Sequence, residues 1–200
     1  MQRRCCRLGA RNAGSRPHPE VCALGPVAAL GMLENPKEQE EPVTLRLVRV
    51  DDRLIHGQVV AIWLKAIGAK RIVILDDRTA RDEFLKEVIT YAAPRDVPVE
   101  VLEVEPGIER VRHLAAEPEP IFVLMRSPRV AVHLREAGVE FPVLNVGGMG
   151  AGPGRKPLYR NISAAPEEME AMRKLETMGT KVELRITENE RSVAFTSVDK

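Results

Sequence analysis

The stretch Val48-Arg49-Val50-Asp51-Asp52-Arg53-Leu54-Ile55-His56-Gly57-Gln58-Val59 decides how this chain is read. Val48 and Val50 end an apolar strand, Asp51-Asp52-Arg53 makes a charged turn, and His56-Gly57 leads into an amphipathic helical run. Strand, short turn and helix form the first half of a βαβ unit, the connection that parallel strands require. In an open α/β sheet the carboxyl ends of the strands face the ligand crevice. A helix N-terminus there offers unpaired N–H groups and a positive dipole to an anion. His56 is therefore expected beside a phosphate seat.

Outward from this stretch the unit repeats. Residues 44–50, 71–75, 97–104, 121–125 and 142–146 are short β-branched or apolar runs of the kind that form strands covered on both faces. Helical patterns lie between them. Val59, Val60, Trp63, Leu64 and Ile67 share one face, closed by Gly68; Phe84, Leu85, Val88, Ile89 and Ala92 share another, stopped before Pro94. Ile108, Val111, Leu114 and Ala115 predict a third helix, and residues 130–137, entered through Pro128 and left at Gly138, a fourth. The fifth has Pro166 at its first turn, Glu167 and Glu168 against the dipole, apolar Met169, Met172 and Leu175, and Gly179 at its end. Residues 181–186 and 192–197 alternate as a hairpin or two edge strands. The expected fold is α/β: a single domain with a mostly parallel open sheet, right-handed crossovers and helices on both faces.

The composition removes several function classes. With 200 residues the chain has room for one well-buried domain, and a net charge of +1 leaves no electrostatic footprint for nucleic acid. An aromatic content of 4% argues against base-stacking platforms, and no apolar run approaches the roughly 20 residues that span a bilayer. Cys5, Cys6 and Cys22 all precede residue 23, so a disulfide framework, thiolate zinc site or cysteine nucleophile in the following domain is excluded, as suits a reducing cytoplasm. Residues 1–42 differ in kind, with Arg3, Arg4, Arg7, Arg11 and Arg16 before the first acid, Glu20. They read as a disordered extension ahead of a domain over 43–200, with Met32 as an alternative start; Gly25 and Pro26 interrupt the apolar run that a signal peptide needs.

Of the histidines, His18 lies in the extension, and His113 and His133 sit in helical patterns among charges, where a solvated position or a core-edge hydrogen bond is expected. His56 alone stands at a strand-to-helix turn among ionisable residues. A plain helix N-terminal residue, capped by Asp51 or Asp52, is the alternative that the residues alone leave open. No second His or Cys nearby supports a metal site. As a nucleophile toward phosphorus, an imidazole has a lone pair to offer, and its ordinary pKa of about 6.5 keeps a useful fraction neutral. The phosphoimidazole then needs cations and N–H donors around its oxygens, and an acceptor on the other ring nitrogen. Arg53 suits the first role, the Gly57 and Gln58 amides the second, and Asp51 or Asp52 the third. Arg126-Ser127 at another strand end, and Gly147-Gly148 opening a glycine-rich run to Gly154, are further candidates for phosphate or substrate. That run matches neither the dinucleotide fingerprint nor the P-loop.

Residues 49–59 closely resemble the active-site signature of the enzyme II B subunit of the bacterial phosphoenolpyruvate-dependent sugar phosphotransferase system, in its mannose, fructose and sorbose family. Trp63, the run 71–76 with Asp82, Ala92-Ala93-Pro94, Arg126-Ser127-Pro128, residues 144–149, and Glu167-Glu168 through Gly179 recur in the family's order, so the resemblance covers about 43–187. It implies a parallel sheet with an antiparallel edge strand. It further implies a protein-Nπ-phosphohistidine sugar phosphotransferase in which His56 takes a phosphoryl group from a phosphohistidine of the IIA component. That group then passes to a sugar carried by the membrane IIC and IID components. No metal or cofactor is required, the location implied is cytoplasmic beside the transporter, and a homodimer is compatible. Residues 152–163 depart from the pattern, and no role for Arg155, Lys156 or Arg160 follows from it. A regulatory protein phosphorylated at His56, reporting pathway state without delivering phosphate to sugar, is the alternative of another class.

Overall fold

The computed structural model describes residues 45–57 and 62–199. In chain order the strands are β1 (Leu45–Asp51), β2 (Arg71–Leu75), β3 (Val99–Leu102), β4 (Ile121–Met125), β5 (Val143–Gly148), β6 (Lys156–Tyr159), β7 (Ile162–Ala164), β8 (Lys181–Leu184) and β9 (Val193–Ala194). The helices are α1 (Leu64–Ile67), α2 (Asp77–Ala80), α3 (Glu83–Ala92), α4 (Val104–Ala115), α5 (Pro128–Glu136) and α6 (Pro166–Thr177). One sheet has the order β3-β2-β4-β1-β5-β8-β9; β9 alone runs antiparallel, against β8. The expected mostly parallel sheet with an antiparallel edge is thus observed. From β1 the chain steps to β2, and from β4 it steps the other way to β5. The connections diverge there, and a crevice opens at the carboxyl ends of β1 and β4.

Two apolar clusters cover the two faces. Val48 and Val50 of β1, Ile121, Val123 and Met125 of β4, and Leu144 and Val146 of β5 pack against α4, α5 and α6. The alternate β4 residues Phe122 and Leu124 point the other way, joining Ile72, Ile74, Ile89, Trp63 and Leu54. That second cluster includes no residue of β5 or β8, and on this side β1 and β5 carry the buried polar residues Arg49 and Asn145. Period-two alternation sends every second residue of a strand to the opposite face, so the polar pair follows from the same register as the apolar one.

Local signals set the boundaries. Asp76 and Asp82 accept from the backbone N–H of Thr79 and Leu85 and start α2 and α3; Ser127 with Pro128 starts α5; Glu168 reaches back to the Ala165 N–H at 2.9 Å. Gly68 ends α1 at φ +63, a conformation that a Cβ would strain. The strand expected over 97–104 is shorter, because Val104 donates its N–H to Asp77 Oδ1 at 2.8 Å and opens α4. The face expected for α3 buries only Ile89. Phe84, Val88 and Tyr91 are exposed, since α3 lies toward the β3 edge, where little sheet remains to cover it. Helix α2 and the β6–β7 hairpin were not expected: one is four residues long, and the other lies almost wholly in residues 152–163, where the family pattern is departed from. The expectations for residues 1–42, and for Gln58, Val59 and Val60, lie outside the described residues.

Candidate active site

The turn after β1 is held in a costly shape. Leu54 donates its N–H to the Asp51 carbonyl at 3.0 Å and sits at φ +53, a region that costs a residue with a side chain about 1–3 kcal/mol. Its side chain is fully buried in the second apolar cluster, which contributes about 1.5–3 kcal/mol. Burial therefore offsets the strain, and the turn delivers the next residues in a fixed pose. His56 follows half-buried, with Nδ1 3.1 Å from the Leu54 carbonyl. A carbonyl only accepts, so in the neutral ring Nδ1 holds the proton and Nε2 the lone pair. The partner that orients His56 is thus a backbone carbonyl; the carboxylate expected from Asp51 or Asp52 is occupied elsewhere in both cases.

Asp51 is fully buried and divides its oxygens. Oδ2 takes Arg49 Nη2 at 3.0 Å, while Oδ1 takes the Arg53 N–H at 3.2 Å and Arg53 Nε at 3.3 Å. Arg53 keeps 58% of its side-chain surface exposed, and with His56, Ile62, Trp63, Ile186, Thr187 and Glu188 it lines a cleft of about 10 Å³. Asp52 turns to the β5 side: its N–H donates to the Gly148 carbonyl at 2.7 Å, and its Oδ2 accepts from Gly150 N at 2.8 Å and Arg155 Nη1 at 2.6 Å. Arg155 also grips Glu168, with Nη2 to Oε1 at 2.6 Å. Asp52 first and Glu168 second raise its pKa above the usual arginine value. The loop after β5 is thereby tied to the turn after β1.

Other candidates take structural positions. Arg126 spans the β1–β4 crevice, donating from Nη1 to the Asp52 carbonyl and from Nε to Asp76 Oδ2 at 3.1 Å. Ser127 Oγ accepts from the Arg129 N–H at 3.3 Å and caps α5. Gly57 is exposed, with open space where a side chain would be, and Gln58 lies outside the described residues. Gly147 and Gly148 have a different necessity from the one expected. A Cβ on Gly147 would collide with the Arg49 guanidinium, and one on Gly148 would come 2.5 Å from Asp51 Oδ1. These glycines make room for a buried ion pair. Lys156 lies on β6 with an exposed side chain, and Arg160 pairs with Glu190 at 3.2 Å.

Arg49 is the residue that the sequence reading missed. Its guanidinium has no exposed surface; Nη1 donates to Asn145 Oδ1 and, at 3.0 Å, to the Arg185 carbonyl, and Nη2 donates to Asp51 and, at 3.0 Å, to the Ile186 carbonyl. It lies 5.0 Å from the centroid of the Trp63 ring, as does Arg185. Burial lowers its pKa, against the pull of Asp51. The available signal was the strand itself: in a run expected to be covered on both faces, the residue between Val48 and Val50 must be buried too. His113 and His133 are exposed, as expected. Among the described residues no group of three or more His, Cys, Asp or Glu is placed to hold a metal, and no helix is long and apolar enough to cross a membrane.

Comparison with known proteins agrees with the fold. The family model described as "PTS system sorbose subfamily IIB component" matches residues 45–198. The sorbose-specific EIIB component of Klebsiella pneumoniae is 35% identical over 149 residues, which are 74% of this chain and 91% of that protein. The mannose-specific EIIAB component of Escherichia coli (strain K12) is 32% identical over 182 residues, 90% of this chain and 56% of that longer protein. The crystal structure of the IIBSor domain of the sorbose permease from Klebsiella pneumoniae superposes with a TM-score of 0.73 at 34% identity, covering 77% of this chain and 94% of that one.

Proposed function

This chain belongs to the mannose, fructose and sorbose family of IIB components of the sugar phosphotransferase system, and from that membership we propose that His56 is its phosphoryl acceptor. The observation that carries the reading is the cleft at His56. The imidazole and the Arg53 guanidinium, which keeps 58% of its side-chain surface exposed, line one small cleft at the carboxyl end of the central strand. A nucleophile so placed takes its group from one protein and yields it to a substrate held by another. The donor is a phosphohistidine of a IIA component, and the acceptor is a sugar bound by membrane IIC and IID components, with this chain on the cytoplasmic side.

In the first step the His56 lone pair attacks phosphorus, a new P–N bond forms, and the P–N bond to the donor histidine breaks, leaving the donor imidazole to take up a proton. In the second, a sugar hydroxyl attacks the same phosphorus, loses its proton and releases His56. Arg53, steadied by Asp51, meets the phosphoryl oxygens as charge gathers on them. Transfer through Nε2 needs no movement of the ring as it stands. Transfer through Nδ1, the Nπ of the enzyme class implied by the signature, requires the ring to leave the Leu54 carbonyl.

Intact mass and phosphopeptide mapping after incubation with phosphoenolpyruvate, enzyme I, the histidine phosphocarrier and a IIA component test the reading. An acid-labile phosphoryl group is expected on His56, with NMR of the imidazole nitrogens naming the atom. His56→Ala is expected to abolish acceptance while losing no more than about 1 kcal/mol of stability, the worth of one hydrogen bond. Phosphorylation of a folded His56→Ala protein, or none of the wild type with a proven donor chain, overturns it.

A further inference from the structure

We propose that Arg49 is a positioning residue for phosphoryl transfer, fixing Arg53 through Asp51 on one wall of the His56 cleft and the Arg185–Ile186 backbone on the other. The inference rests on the reading of His56 as acceptor. Arg49 touches none of the reacting atoms. Every donor it uses, apart from the one that anchors it to Asn145, leads to a cleft wall. Nη2 reaches Asp51 Oδ2, and the other oxygen of that carboxylate holds both the backbone and the side chain of Arg53. Nη1 and Nη2 also bind two consecutive carbonyls, Arg185 and Ile186, just where the chain leaves β8 to form the Ile186-Thr187-Glu188 wall. The guanidinium carbon lies over the ring of Trp63, which lines the cleft as well.

Stability alone does not explain this arrangement. Desolvating a guanidinium is costly, and an apolar pair of similar volume commonly holds a fold at least as well. Here Nε is buried without a partner among the described residues, so the charge is not fully repaid in hydrogen bonds. What the ion supplies and an apolar residue cannot is a planar fork that sets two separate loops at one distance from each other. Gly147 is part of the device, since any side chain there would occupy the place of the guanidinium. A lysine would keep the charge and lose the fork.

The test is a double-mutant cycle on phosphoryl acceptance from a phosphorylated IIA component, using Arg49→Lys, Arg53→Lys and the double variant. Arg49→Lys is expected to lower kcat about 100-fold, the scale of a misplacement near 1 Å. KM for the donor should change less than about twofold, because Arg49 has no surface to contact a partner. In the Arg53→Lys background the same change should slow transfer only about tenfold or less, since the route through Asp51 is already lost and the Arg185–Ile186 wall alone remains to be loosened. Multiplicative losses, an equal loss in KM, or full activity in a folded Arg49→Lys protein overturn the proposal. Should Arg49→Lys fail to fold, Asn145→Ala removes one anchor of the guanidinium and keeps the ion pair, and the same non-additivity with Arg53→Lys is expected at a smaller size. Wild-type protein that accepts no phosphate brings down the reading of His56 as well; wild-type acceptance with an additive cycle brings down the role of Arg49 alone.

Discussion

At the carboxyl end of the sheet Arg49 and Asp51 have no exposed side-chain surface, whereas at the amino end Arg71 and Glu100 keep 21% and 22% of theirs. Both are arginine–carboxylate clusters that join neighbouring elements. At the amino end Arg71 links Glu100 of β3 to Glu119 ahead of β4, and Arg110 of α4 adds a second cation to Glu100 at 2.8 Å. Water still reaches that cluster, so solvent screens its ions and each pair is worth little. The carboxyl-end cluster is dry, so each ion depends on the other, and the geometry they enforce is rigid. The same chemistry thus serves as a surface clasp at one end and as the frame of the His56 cleft at the other.

Removing one ion from each cluster separates the two. Asp51→Ala strands the Arg49 guanidinium in the interior, and a loss of about 3–5 kcal/mol is expected in chemical unfolding; a loss below about 1 kcal/mol would mean that the pair is as solvated as its counterpart. Arg155→Met lies between the extremes, because Arg155 is only 17% exposed and bridges Asp52 and Glu168. About 2 kcal/mol is expected there, on the scale of charged hydrogen bonds, with loosened amide protection in the loop after β5 as the local signature.

Glu100→Gln should have the smallest effect, about 1 kcal/mol near neutral pH. Its pH dependence is the sharper test. Arg110, ahead of the opposing push of burial and the help of Arg71, holds the Glu100 carboxyl below the usual carboxylate range. The contribution is therefore complete above the unfolded value of about 4.3 and disappears as pH falls through the lower folded value. Wild type and Glu100→Gln should converge in acid, and phosphoryl acceptance should be unchanged. A gap that persists in acid would mean that the carboxylate's charge is not what holds the β3 edge.

Much of the fold was legible because local rules agree with the global arrangement. Residues 71–75 and 121–125 read as strands and are strands, since β-branched and apolar runs of that length match a sheet covered on both faces. Pro128 and Pro166 began helices where expected, as their fixed φ and missing N–H require. The α3 face was misread because amphipathic spacing says that a helix has an apolar stripe, and not whether enough sheet lies beneath it. Within the candidate site, His56 and Arg53 were singled out by residue type at a strand-to-helix turn, and they line one cleft. The Leu54 carbonyl was not, because a backbone acceptor leaves no trace in side-chain chemistry.

The sequence by itself determined most of the order of strands and helices, the charged turn that carries His56, and the membership that its signature announced, because each depends on residues close together along the chain. Tertiary structure decided which ions are buried and what they hold. Arg49 meets Asn145, Arg185 and Ile186 across 96 to 137 positions, and Asp52 meets Arg155 across 103. Only the packing of β5 and β8 beside β1 removes water from those partners. Without that desolvation, an arginine between two valines is an ordinary charge on a strand.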